Sequence, residues 1–593
     1  MMYAGKSGRG RNDGSDRAKN KKYVIRRLWD YLYFYKWRLF LALFLTVVSN
    51  GLSLVGPFLT GQTISAMEDG VDFERVFFFA GLMVAFYVAA AIMNYILAVT
   101  MIRISKSVVY KMRQDLFRKL NTVPVSYFDQ NQTGDIISKM SYDIDTINTS
   151  LASDVVSVFT AVITVTISFV MMLIMSPVLV LVFVATIPLS IILTKVLSKI
   201  VKQKFRYRNK MLGELNGYAE EMITGQKTIR SYVQEETTLE RFDAINDEAT
   251  DAAYKAGYYA AIVGPSVGFI SNLSVALVGV FGGILYFNNA ITLGNLTSFT
   301  LYSRRFSGPI NMLSNIMAEI QSALAAAERV FNVMDQDDEP ADIPDAIPYE
   351  NVKGDVRFDD VSFGYLENQT VLKHVSFAAP PGKVVAIVGP TGAGKTTLVN
   401  LLMRFYDVGS GRILMDDHVN SNLTRDSLRR SFSMVLQDTW IFHGTVHENI
   451  AYGNGDVSRM AVEEAARRAR IHQFITHLPN GYDTILTDEG TNISKGQKQL
   501  LVIARAMLSR TRMLILDEAT SNVDTHTEVL IQKAMLALME GKTTFVIAHR
   551  LSTIRNADLI LVVKDGNIVE QGTHDTLLKL DGFYKALFES QFA

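Results

Sequence analysis

Gly389-Pro-Thr-Gly-Ala-Gly-Lys-Thr396 carries the sharpest chemical signal in the chain. Small residues at this spacing let successive backbone N–H groups turn inward and wrap a string of phosphates at the start of a helix, where the dipole also favours anions. Lys395 can reach β- and γ-phosphates, and Thr396 can offer a hydroxyl oxygen to Mg2+. The flanks agree: Val384–Val388 reads as a buried β-strand before the loop, and Thr397–Phe405 reads as a helix after it. Gly389, Thr391, Gly392, Gly394, Lys395, Thr396 and Thr397 are therefore the candidate phosphate contacts. Further along, the apolar run Met513-Leu-Ile-Leu ends on Asp517-Glu518. Alone, such a pair usually marks a strand end meeting solvent. Following a phosphate loop, Asp517 can hold Mg2+, usually through water, while Glu518 orients or deprotonates an attacking water.

Those groups need a soluble α/β scaffold, and residues 351–593 read as one. The rest does not. With 593 residues the chain is too long for a single core, and its 49% hydrophobic content and mean hydropathy of +0.16 conceal a sharp internal split. Six apolar stretches, at about 38–65, 77–102, 155–175, 178–198, 257–288 and 294–318, are each long enough to span a bilayer as a helix. Ser176-Pro177 separates the third from the fourth as a tight reversal. Connections after the second and fourth are long and rich in Lys and Arg, including Arg103, Lys106, Lys111, Lys199, Lys202 and Lys204; the short first one carries Glu68, Asp69, Asp72 and Glu74. The positive-inside rule then places both termini and both long connections in the cytoplasm, in a multi-pass protein of the cell membrane. The long connections are amphipathic and poor in Gly and Pro, so the helices are expected to continue into the cytoplasm and turn back there.

The expected layout is a basic N-terminus with an interfacial helix over 1–36, a six-helix membrane domain over 37–330, an acidic, proline-punctuated linker over 331–350, and the ATPase domain over 351–593. Lys and Arg (59) balance Asp and Glu (59), so a nucleic-acid partner is not indicated. The absence of cysteine excludes disulfides and thiolate chemistry. Arg304 and Arg305 fall near mid-bilayer; one of them is expected to face a water-filled cavity or a partner's carboxylate, and Gly308-Pro309 beyond them should weaken the helix.

Over nearly its whole length the chain resembles the ATP-binding-cassette exporters, whose motifs occur in order. Tyr365, in Phe-Gly-Tyr, matches the residue that stacks on adenine. Gln437, in Val-Leu-Gln-Asp, matches the glutamine that touches Mg2+ and senses the membrane domain. Ser521-Asn-Val-Asp524 matches the dimer-contact loop, and His549, in Ala-His-Arg-Leu, the switch histidine near the γ-phosphate. Tyr127-Phe-Asp129 with Thr133-Gly-Asp135 looks like the first coupling segment, and Glu220-Glu221, Gly225 and Thr228-Ile-Arg230 like the second intracellular loop. The resemblance implies six transmembrane helices of exporter type followed by an α/β P-loop ATPase domain. ATP and Mg2+ are its cofactors, Glu518, His549 and Gln437 its catalytic residues, and a second half-transporter its partner.

One motif departs from the family. Where the signature reads Leu-Ser-Gly-Gly-Gln, this chain has Ile493-Ser-Lys-Gly-Gln497. Ser494, Gly496 and Gln497 still match residues that face a nucleotide held by the partner, but Lys495 adds bulk where glycine allows close approach. Asp488-Glu-Gly490 likewise replaces the usual Glu-Arg-Gly. The expectation is a heterodimer, favoured over a homodimer, in which this chain's phosphate loop builds the competent site and its signature the impaired one. The expected cargo is a small, drug-like amphipathic molecule. A lipid flippase would share every motif, and an ATP-gated channel or regulator is the more distant alternative.

Overall fold

The computed structural model describes residues 20–68, 70–366, 369–437, 439–487, 493–517, 524–548 and 551–592. They divide into two compact units, one of residues 20–121 and 133–336, the other of 122–132 and 337–592.

The first unit is helical throughout. Lys36–Glu68, Phe73–Leu120, Thr133–Met175, Pro177–Thr224 and Glu235–Phe287 each contain an 18-residue stretch of mean hydropathy between 1.9 and 2.5, enough to cross a membrane. A sixth long helix, Leu293–Met334, is more polar and carries Arg304 and Arg305. Both arginines are exposed on this single chain, and Arg305 donates to Ser53 Oγ at 3.1 Å. The helix runs unbroken through Gly308-Pro309. At 48 and 53 residues, Phe73–Leu120, Pro177–Thr224 and Glu235–Phe287 are about 70–80 Å long at the helical rise. That is more than twice a bilayer core, so these helices do extend well beyond it.

Local sequence sets the ends. Asp72 Oδ1 accepts from Arg75 N at 3.2 Å at one helix start, and Arg118 and Lys119 lie in that helix's last turn, both favourable to the dipole. Ser176 Oγ caps Leu179 N at 3.4 Å, with Pro177 as the first helical residue, making the expected reversal between spans. Asp143, only 3% exposed, takes a two-pronged bond from Arg329 (3.0 and 2.5 Å), which ties Thr133–Met175 to Leu293–Met334. A short helix, Lys21–Tyr33, precedes the spans; Trp29 and Tyr33 stand exposed on it, as suits a headgroup-level helix, while Arg27 holds Asp335 at 2.5 Å.

The second unit contains strands β1 (Val356–Phe363), β2 (Leu372–Ala379), β3 (Val384–Val388), β4 (Ser410–Met415), β5 (His418–Val419), β6 (Phe432–Val435), β7 (Gly444–Thr445), β8 (Ile485–Leu486), β9 (Met513–Asp517), β10 (Thr543–Ile547), β11 (Leu559–Lys564) and β12 (Asn567–Gly572). Its centre is a six-stranded sheet of order β12-β11-β3-β10-β9-β6, parallel except for β12. An antiparallel sheet of order β2-β1-β4-β5 and a small β7-β8 ribbon complete the unit.

Strand periodicity separates two cores. Val385, Ile387, Ile515, Phe545 and Ile547 point to one face of the central sheet and pack with Leu398, Leu401 and Leu402 of helix Lys395–Leu402. Ala386, Val388, Leu514, Leu516 and Val546 point to the other and pack with Leu500, Leu501 and Ile503 of helix Lys495–Leu508. Near-continuous apolar strands are what a parallel sheet covered on both faces requires.

Candidate ATP-binding site

The phosphate loop leaves the carboxyl end of β3, where open parallel sheets bind ligands. Two glycines are demanded by its path. A Cβ on Gly389 would lie 2.1 Å from the Val563 carbonyl oxygen. Gly394, which caps helix Lys395–Leu402, has φ of +107° and packs against Leu372, where a Cβ would fall 2.7 Å from Cδ2. Lys395 Nζ donates to the carbonyl oxygens of Gly389 (2.8 Å) and Pro390 (3.0 Å), folding its side chain back over the loop. Burial pushes its pKa down, partly offset by the nearby charge of Asp517. A desolvated cation over a glycine cradle at a helix N-terminus fits a phosphate chain.

Thr391, Gly392 and Thr396 are exposed beside Lys395, whereas Thr397 is buried. Tyr365 reaches the same helix: its Oη donates to Thr397 Oγ1 at 3.1 Å and accepts from Asn400 Nδ2 at 3.2 Å. Its ring stays 40% exposed, so a face is available for stacking. Asp517 ends β9 and Gln437 lies two residues past β6; because Val435 pairs with Leu516 and Asp517 with Ile547, both sit on the carboxyl edge that carries the loop. Asp517 is half-buried and Gln437 exposed. With Thr396 they form a donor set of oxygens, the chemistry Mg2+ takes when nucleotide and water supply the remaining ligands. Glu518, His549, Ser521–Val523 and Asp488–Asn492 lie outside the described residues. Asp524 caps the next helix, accepting from Thr527 N at 2.9 Å.

Ser494, Gly496 and Gln497 do not share the face of the phosphate-loop helix. They begin a helix that packs on the opposite face of the sheet. Ser494 and Gln497 form a reciprocal capping box, with Ser494 Oγ accepting from Gln497 N (3.3 Å) and Gln497 Oε1 accepting from Ser494 N (2.9 Å). Gly496 is buried, and Lys495 stands exposed at the first helical position.

Two features of the unit escape a reading of the sequence. Tyr406 packs edge-on against Tyr365 at 5.0 Å between centroids, and its hydroxyl donates to Asp129 at 2.5 Å. Asp129 belongs to helix Val125–Gln130, which the chain contributes to this unit from a distant stretch. Burial and Asp129 both raise the Tyr406 pKa, so that proton stays in place. The second is an ion-pair network around Arg404 and Arg425, 5% and 6% exposed. Arg404 Nε donates to Asp407 (3.0 Å); Arg425 donates to Asp407 (2.9 Å), Asp342 (3.3 Å) and the Pro340 carbonyl (2.6 Å). Arg429 grips Glu339 with two bonds (3.0 and 2.5 Å). The stretch expected as a linker is thus pinned at Glu339–Asp342 to the segment after the phosphate-loop helix. Its signal was the acidic, proline-punctuated composition; the partners 83 to 90 positions away left none.

Comparison with known proteins agrees with this layout. The ABC transporter transmembrane region matches residues 39–310, and the ABC transporter family matches 372–521. The chain is 41% identical over 576 residues to the uncharacterized ABC transporter ATP-binding protein YfiC of Bacillus subtilis, covering 97% of this chain and 95% of that one. It is 42% identical over 515 residues to a fatty acid ABC transporter ATP-binding/permease protein of Mycobacterium bovis (87% and 81%), and 33% identical over 574 residues to an ATP-dependent lipid A-core flippase of Desulfotalea psychrophila (96% and 100%). A solved bacterial Atm1-family ABC exporter with ATP bound superposes with a TM-score of 0.75 at 29% identity, over 94% of this chain and 98% of that one. An exporter-type membrane domain joined in one chain to a nucleotide-binding domain makes this protein a member of the ABC exporter half-transporters, with an ATPase domain coupled to transport.

Proposed function

We propose that this chain pairs with a second, homologous half-transporter and exports amphipathic molecules by alternating access, with a competent ATP site on its own phosphate loop and an impaired one on its own signature. The observation that carries this reading is the placement of the two half-sites. The phosphate-loop helix and the signature helix pack on opposite faces of one sheet, which supports a signature supplied by another chain. Closure of two such domains around two ATP molecules would draw the long helices together, driven by tighter binding of ATP to the closed state.

In this reading the 389–394 backbone, Lys395, Thr396 and Thr397 hold and position the triphosphate, and Tyr365 stacks on the base. Thr396, Gln437 and Asp517 would hold Mg2+, which neutralises phosphate charge. Glu518 orients the attacking water and His549 contacts the γ-phosphate. Lys495 explains the asymmetry. As the first residue of a 14-residue helix it places a cation against the positive end of the dipole, a poor helix start that an anion relieves. It therefore holds a partner's ATP while keeping the signature backbone too far away for efficient hydrolysis.

Two outcomes follow. Tyr365→Ala should raise the KM for ATP about tenfold with kcat little changed, since stacking on an aromatic ring contributes about 1–3 kcal/mol; Tyr365→Phe should retain most of the affinity, and steady-state ATPase assays separate the two. Lys495→Gly should raise ATPase activity of the chain purified alone at least tenfold, as read by phosphate release in lipid nanodiscs.

The names of the relatives favour a lipid-like cargo over a drug-like one, because fatty acid and lipid A-core are what two of them are said to handle. Both termini are placed in the cytoplasm by the basic long connections. ATP-dependent movement of a fluorescent acyl lipid, but not a cationic dye, in proteoliposomes would support this choice. Intact ATPase activity with transport of neither would contradict the exporter reading.

A further inference from the structure

The amino-terminal edge of the central sheet, opposite the ATP-binding edge, holds a polar cavity of about 670 Å³. Lys353, Arg430, Arg510 and Arg512 line it together with Ser427 and Thr511. The fold gathers these cations. Arg430 lies just before β6 and Arg512 just before β9, and those strands start as a pair, Phe432 beside Met513. No lining residue is acidic, and among the described residues none of the four cations is paired with a carboxylate. The carboxylate beneath, Asp416, is already satisfied: it accepts from the backbone N–H groups of Lys353 (2.7 Å), Gly354 (3.0 Å) and Asp355 (2.7 Å) and from Tyr349 Oη (2.9 Å).

Positive charge continues behind the cavity. Lys542 Nζ reaches Thr511 Oγ1 at 3.5 Å, and burial together with the like charge of Arg468 lowers its pKa to about 8. Four cations above the one hydrogen-bonded carboxylate of Asp416 leave the cavity net positive, at a free-energy cost that a bound anion would return. We propose that this cavity is a second anion site, distinct from the ATP site, that takes a free oligophosphate group. The remaining lining argues for that class. Val352 is its single aliphatic residue, which leaves no wall for an acyl chain, and the Tyr349 ring is 6% exposed, too covered to stack a base. Five-residue β9, about 16 Å end to end, separates this edge from Asp517 and the phosphate loop.

The test uses full-length protein in nanodiscs carrying Lys395→Ala to silence the phosphate loop, titrated with inorganic tripolyphosphate by calorimetry. Saturable binding of one anion per chain is expected. It should weaken at least tenfold when Arg430→Gln, Arg510→Gln and Arg512→Gln are combined, and be retained when the same three are changed to Lys. Equal affinity in the Gln variant, or loss of all saturable binding on introducing Lys395→Ala alone, would overturn the proposal. Unchanged thermal unfolding of the Gln variant without anion shows that any loss is of binding and not of folding.

Discussion

Lys395→Ala should lower ATPase activity about 10²–10³-fold, the loss typical of removing one positioned donor from developing transition-state charge. Folding should survive, because the ammonium's bonds are to two carbonyl oxygens of its own loop, and the side chain bridges no separate elements. Burial already lowers the Lys395 pKa, so replacing it relieves a desolvation cost in the nucleotide-free state. The nucleotide-free melting temperature should therefore stay the same or rise slightly, while the stabilisation gained on adding ATP disappears. Differential scanning fluorimetry with and without ATP reads both. Residual activity within twofold of the parent would remove Lys395 from the account.

Arg425→Ala acts by a different route. Its guanidinium, 6% exposed, holds Asp342, Asp407 and the Pro340 carbonyl together. Removing it leaves Asp342 and Asp407 with Arg404 as their remaining cation and the Pro340 carbonyl without its donor, at a cost of about 3 kcal/mol, the low end for a broken buried pair. In a domain of this size that lowers the melting temperature by on the order of 10 °C. Arg425→Lys keeps the charge but loses the planar fork, so it should recover only part of the loss. Because the network pins Glu339–Asp342 beside the segment that follows the phosphate-loop helix, milder damage should also show in function. Asp342→Asn is expected to lower ATP-driven transport more than ATP binding. A melting temperature unchanged in Arg425→Ala would show that the pairs are worth no more than surface ones.

The parts legible in sequence were those governed by short-range chemistry. A glycine loop between a β-branched strand and a helix can be read from adjacent residues, and Gly389 and Gly394 sit where backbone approach permits little else. All six long helices were visible as apolar runs, including the more polar Leu293–Met334 that carries Arg304 and Arg305, and Ser176-Pro177 was visible as a helix start. Positions joined across long separations were not legible. Tyr406 and Asp129 are 277 residues apart, and Arg425 meets Asp342 across 83. Neither a tyrosine after a helix nor an acid in a proline-rich stretch announces its partner, because register and periodicity say nothing about contacts between distant segments. The opposed faces of the phosphate-loop and signature helices became visible only once the alternation of β3, β9 and β10 was set in a sheet.

The central claim is that Ser494 with Lys495 makes a poor signature, so that this chain needs a partner's intact one. Its most direct test is ATPase activity in lipid nanodiscs of this chain alone and of this chain co-purified with a half-transporter carrying Ser-Gly-Gly-Gln. Activity should appear in the mixed complex and vanish when Glu518→Gln is placed on this chain. Full activity from this chain alone, equal to that of the mixed complex, would contradict the account.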